Sequence, residues 1–152
     1  MGYVHAILES GEKVVFETRL SWTLYVPAIV ETLVALALLF FAASVPGFGV
    51  AVFALAALSA AAALVSFLRA WFRRWTTEIA VTDRRVVLKR GFIRRHTVEM
   101  NMQKVESVDV DQTQLGRLFD YGTVTIRGTG STLESFRMID RPLKLRTAIT
   151  AG

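Results

Sequence analysis

The chain of 152 residues contains no cysteine. That absence excludes a disulfide framework, a thiolate nucleophile and a cysteine metal site, and it leaves the redox compartment open. Histidine is scarce as well. His5 and His96 stand alone, without the neighbouring ligands or the His-Glu-x-x-His spacing of a metal site, so both are expected in solvent. No glycine-rich phosphate loop precedes a helix, because Gly128-Thr129-Gly130 falls in an expected hairpin and lacks the required lysine. Neither catalysis nor a cofactor or metal is expected.

Charge is missing from two long stretches. Residues 24–44 and 48–68 are uncharged except for Glu31, and Val45-Pro46-Gly47 joins them. At about 1.5 Å rise per residue, a helix of about twenty residues spans the roughly 30 Å hydrocarbon core of a bilayer. The expectation is a transmembrane hairpin over 24–74, with spans at about 24–44 and 48–68, after an N-terminal cytoplasmic segment 1–23 and before a soluble domain 75–152. Ala42-Ala43-Ser44 offers a signal peptidase small residues. A cleaved signal is nevertheless disfavoured, because the apolar run exceeds the roughly 7–15 residues of a signal core and follows a long, acidic-leaning segment.

What charge there is falls on one side. The formal net charge is +5, and Arg69, Arg73 and Arg74 directly follow the second run, whereas the connector between the runs carries none. Basic residues flanking a span stay cytoplasmic, so both termini are expected there; Lys13 and Arg19 add a weaker signal on the same side. Trp22 and Tyr25 at one run, with Trp71 and Trp75 at the other, read as an aromatic belt at that face. No recognition motif accompanies the basic residues, and nucleic-acid binding is not expected.

Within the runs, Ala56 and Ala60 are four apart, as are Ala57 and Ala61, and Ser59, Ala62 and Ala63 extend this small-residue surface. Such surfaces let helices approach closely in lipid. The plain reading packs the two spans together; the sharper one is a homo-oligomer interface. Glu31, the one ionisable residue in either run, is by default a functional hypothesis. Against that, it lies roughly 10 Å in by helix rise, and a protonated or snorkelling carboxyl beside a backbone opened by Pro27 is an alternative.

Beyond Trp75 the pattern changes to period-two alternation. Ile79 and Val81 share one strand face, Asp83-Arg84 makes a turn, and Val86 and Leu88 continue in the next strand. Val98, Met100 and Met102 alternate with polar residues, while Val105 and Val108 have opposite parity, which predicts a β-bulge near Glu106-Ser107. Residues 112–119 carry Leu115, Leu118 and Phe119 at helical spacing and read as a short helical turn. Val124 and Ile126 then point inward, and Phe136 with Met138 closes the sheet. Pro142, followed by Leu143, Leu145 and Ile149, predicts a C-terminal amphipathic helix. The outline is an α+β membrane protein: a two-helix transmembrane hairpin followed by a pleckstrin-homology (PH)-like antiparallel barrel or sandwich of six or seven strands with a C-terminal helix.

Several segments carry a family resemblance. The runs Thr77-Glu78-Ile79-Ala80-Val81-Thr82-Asp83-Arg84-Arg85-Val86, Arg90-Gly91-Phe92-Ile93-Arg94-Arg95, Lys104-Val105-Glu106-Ser107-Val108, Leu115-Gly116-Arg117-Leu118 and Tyr121-Gly122-Thr123-Val124-Thr125-Ile126 resemble the bacterial membrane-flanked PH-like domain proteins. The resemblance includes Gly11-Glu12-Lys13 ahead of the first run and the order of two spans before the domain. It implies a fold and a place at the bacterial inner membrane, and it supplies no catalytic residues.

One binding site suggests itself. A strand leaving the membrane at Trp75 and returning after Asp83-Arg84 brings the Gly91 turn back toward lipid. Phe92 and Ile93 there sit within a basic collar of Lys89, Arg90, Arg94 and Arg95, and an anionic leaflet attracts each basic residue by about 1 kcal/mol. This is the candidate lipid contact; the alternative folds Phe92 and Ile93 into the barrel with the collar solvated. Asp109 and Asp111, two apart, read as outward residues of a half-buried strand. The functional expectation is a membrane-anchored adaptor contacting a protein partner and anionic lipid. The alternative is a small subunit of a membrane-embedded transport or stress-response assembly, working through Glu31 and the alanine surface.

Overall fold

A computed structural model describes residues 8, 10–44, 49–91, 96–129 and 133–151. The chain divides into two compact units, Met1–Thr23 with Arg73–Gly152, and Leu24–Phe72.

The first unit holds two antiparallel sheets. One has the order β1 (Val14–Thr18), β2 (Glu78–Thr82), β3 (Arg85–Arg90), β4 (His96–Asn101). β1 and β2 are separated by both long helices in sequence, yet they are registered neighbours, with Phe16 opposite Val81 and Thr18 opposite Ile79. The sequence reading assigns no strand before residue 24. Val14-Val15-Phe16 nonetheless has the β-branched and aromatic side chains that suit a pleated surface, and without it β2 would be an unpaired sheet edge. The folded unit thus draws on both flanks of the helices. β2, now a middle strand, is buried on both faces from Ile79 to Thr82.

The second sheet has the order β5 (Val105–Asp111), β6 (Tyr121–Gly128), β7 (Leu133–Asp140). The expected bulge is there: Val105 faces Gly128 while Ser107 faces Arg127. A second irregularity was not foreseen. Gly122 faces Ile139 but Val124 faces Phe136, and Met138 takes a φ of 61°. The extra residue hands the fully buried inward place to Ile139, where simple alternation assigns it to Met138.

Residues 18–21 join the sheets at one corner. Leu20 bridges to Ile139, the Ser21 N–H donates to the Met138 carbonyl at 2.7 Å, and the Asp140 N–H donates to the Arg19 carbonyl at 3.0 Å. The Thr18 hydroxyl donates to the Asp140 carbonyl at 2.7 Å. Between β5 and β6 lies the short helix α3 (Gln114–Leu118), and α4 (Pro142–Thr150) packs on strands of both sheets. Pro142 stands at the start of α4, where its missing N–H has no helical acceptor to lose. Leu145 and Ile149 enter the core with Ile79, Val81, Val124 and Ile126, while Leu143 is exposed.

The second unit contains α1 (Val26–Ser44) and the greater part of α2 (Gly49–Thr76). The Ser59 hydroxyl donates to the Glu31 carbonyl at 3.0 Å, and the Tyr25 and Phe67 rings lie 5.4 Å apart. The buried small residues recur every seven positions, Ala28, Ala35 and Ala42 on α1 with Ala56, Ala63 and Ala70 on α2. A repeat of seven keeps one face inward on helices that wrap gently to the left. Of the four alanines singled out by their spacing of four, Ala56 is buried and Ala57, Ala60 and Ala61 are exposed. Pro27 falls in the first turn of α1, so it opens no carbonyl beside Glu31.

Candidate functional site

The β2–β3 turn carries a polar cluster that ties the N-terminal segment to the domain. Glu12, whose side chain has no exposed area, accepts from Arg85 Nη2 at 2.8 Å on Oε2. Its Oε1 accepts from Arg85 Nε at 2.9 Å and from the Thr82 hydroxyl at 2.7 Å. Arg85 Nη1 donates to Glu99 Oε2 at 2.9 Å. Thr82 shapes the turn, its Oγ1 accepting from the backbone N–H of Arg85 at 3.0 Å. Asp83 Oδ1 accepts from the Lys13 N–H at 3.0 Å, and the Asp83 N–H donates to the Lys13 carbonyl at 3.1 Å.

A cleft of about 310 Å³, lined by Arg84, Arg85, Glu99 and Asn101, opens beside this cluster. Its Arg85 guanidinium is already spanned by two carboxylates, so it serves as a clamp and is not poised for an anionic ligand. Sequence reasoning missed the Glu12–Arg85 pair. A glutamate two residues ahead of Val14-Val15 was the available signal, but a partner 73 residues away is not legible from local pattern.

The opposite end of the first sheet carries Lys89 and Arg90, two of the residues expected to contact lipid. Glu78 pairs with Lys89 and Arg90 with His96, so the last residues of β3 and the first of β4 lie at the end of the sheet where β2 begins. Lys89 is half-buried, and Gly91 takes a φ of +87°, a conformation open chiefly to glycine. Phe92, Ile93, Arg94 and Arg95 lie outside the described residues, as do His5 and the Val45-Pro46-Gly47 connector.

Elsewhere, Asp109 pairs with Arg127 at 3.2 Å with both side chains more than half exposed, and Asp111 is exposed. Glu31 Oε2 is buried without a hydrogen-bond partner among the described residues. On α1 and α2 runs an apolar groove of about 740 Å³, whose lining includes Ala28, Thr32, Ala35, Ala60, Ala63 and Phe67 but not Glu31.

No curated protein and no solved structure matches the chain. A family model described as a bacterial PH domain matches residues 25–151, which takes in both long helices and every strand except β1. The two antiparallel sheets and the C-terminal helix accord with a PH-like fold, and the chain belongs to the bacterial PH domain family.

Proposed function

We propose that the chain is a membrane-anchored binding module, a PH-like domain that presents its sheets and loops to a protein partner at the cytoplasmic face of a bacterial inner membrane. The observation that carries this reading is the pairing of β1 with β2. These strands flank two helices, Trp22–Ser44 and Gly49–Thr76, each long and apolar enough to cross a membrane. One sheet assembled from both flanks requires both to lie on the same side, as an even number of crossings provides. Only 11% of each apolar window is buried, unlike the core helix of a soluble protein, and Arg73 and Arg74 close α2, which favours the cytoplasm for the domain. The buried clusters supply packing and clamping, and the reading includes no catalytic step.

The test is photo-crosslinking of the full chain in native membranes from exposed positions such as Glu106 and Arg127, after alkaline carbonate washing. Retention in the washed membranes with a reproducible heterologous partner supports the module. Release by carbonate refutes the anchor, and crosslinks from these positions confined to second copies of the chain refute the adaptor role. A second reading, a membrane-embedded subunit, is favoured by Glu31 Oε2, which is buried without a hydrogen-bond partner among the described residues. It requires Glu31→Gln to abolish function while the domain remains folded.

A further inference from the structure

Resting on the reading of a membrane-anchored domain, we propose that the α3 turn is a lipid-docking wedge, with Leu115, Leu118 and Phe119 entering the headgroup region beside Trp22. The burial in this turn is inverted. Leu115 is 60% exposed, Leu118 73% and Phe119 42%, whereas polar and small residues hold the turn from behind. The Gly116 N–H donates to Thr113 Oγ1 at 3.1 Å. Gln112 Nε2 donates to the carbonyls of Gly116 at 3.3 Å and Tyr121 at 3.1 Å. Gly116 is buried so tightly that a Cβ there would lie 2.6 Å from the Tyr121 carbonyl oxygen. The turn is therefore firmly seated with its large apolar side chains outward, the reverse of how a helical turn covers a core.

Two observations identify lipid as the occupant. The Trp22 ring packs edge-on against Phe119, with centroids 5.6 Å apart and planes at 89°, and Trp22 is itself 42% exposed. Trp22 stands only two residues before the 24–44 apolar run, so the patch is continuous with the point where the chain passes into α1. The strand register agrees. Tyr121, which ends the turn, faces Asp140, and Asp140 hydrogen-bonds to Arg19 three residues ahead of Trp22. Arg117 is exposed between the leucines, where its guanidinium suits lipid phosphate. An aromatic pair with flanking leucines and an arginine is the composition of an interfacial anchor.

The natural absence of cysteine allows the test on the full chain. Leu118→Cys and Leu115→Cys are labelled with a small fluorophore and reconstituted in phosphatidylcholine–phosphatidylglycerol vesicles holding lipids brominated either near the headgroup or deep in the acyl chain. Gln103→Cys, exposed beyond the opposite end of the first sheet, is the aqueous control, and Leu58→Cys in α2 is the anchor control. The wedge predicts loss of fluorescence at 118 and 115 with shallow bromines and little loss at 103. Equal, small losses at 118 and 103 while Leu58→Cys is quenched by deep bromines overturn the wedge and leave the anchor standing. No quenching at 58 overturns the anchor and the wedge together. A probe at 118 shielded from water-soluble quencher yet untouched by brominated lipid is covered by protein, a second copy included, and overturns the wedge.

Discussion

Replacing Arg85 by Met tests whether the segment before the helices belongs to the domain. The carboxylate of Glu12 is fully buried and takes two of the hydrogen bonds described above from this one guanidinium. With Arg85 gone, of the partners described here only the Thr82 hydroxyl at 2.7 Å still donates to it. Removing one partner of a buried pair strands the other charge, at a cost of about 3–5 kcal/mol. The reverse change is gentler. In Glu12→Gln the side-chain shape survives, and Arg85, whose side chain is one-fifth exposed, retains Glu99 at 2.9 Å, so about 1–3 kcal/mol is expected. For a domain of roughly a hundred residues each kcal/mol moves the midpoint by about 4–8 °C. Arg85→Met should thus lower it by more than about 12 °C, and Glu12→Gln by clearly less. Thermal unfolding of the detergent-solubilised full chain, followed by near-UV circular dichroism, measures both. Asp109→Asn serves as the control, because its pair with Arg127 is more than half exposed and is worth no more than about 1 kcal/mol. Equal shifts for the two main variants, or a smaller one for Arg85→Met, would refute the reasoning.

Gly116→Ala places a Cβ against the Tyr121 carbonyl at 2.6 Å and is expected to cost about 1–3 kcal/mol by overpacking, read in the same thermal assay. Ala56→Leu, on the buried seven-residue stripe, should loosen the helix pair, whereas Ala57→Leu, on an exposed face, should not; protease sensitivity of the hairpin in detergent compares them. Replacing residues 24–72 by a flexible linker should leave a folded, water-soluble domain, while further removal of residues 1–18 should unfold it by taking away β1 and Glu12. Circular dichroism and amide exchange at β2 distinguish the outcomes, and equal protection with and without β1 would contradict the pairing.

The sequence by itself determined the features that rest on local composition. Two uncharged apolar runs of about twenty residues, joined by Val45-Pro46-Gly47, marked the two long apolar helices. Alternation after Trp75 dictated the strands, the parity change at Val105 and Val108 located a bulge, and Pro142 opened the last helix. The family resemblance, too, was carried by contiguous motifs, and the family match bears it out.

Tertiary structure alone decided what depends on distant partners. β1 became a strand because β2, on the far side of both helices, completes its hydrogen bonds. Glu12 is a buried ion-pair partner only because the fold returns Arg85 to it. The buried alanines of the two long helices recur every seven residues, a register that a spacing of four, which describes one turn only, does not name. Leu115, Leu118 and Phe119 have the same spacing whether they face a core or a membrane. Periodicity names a face of a helix, and what covers that face is settled by the surrounding chain and its solvent.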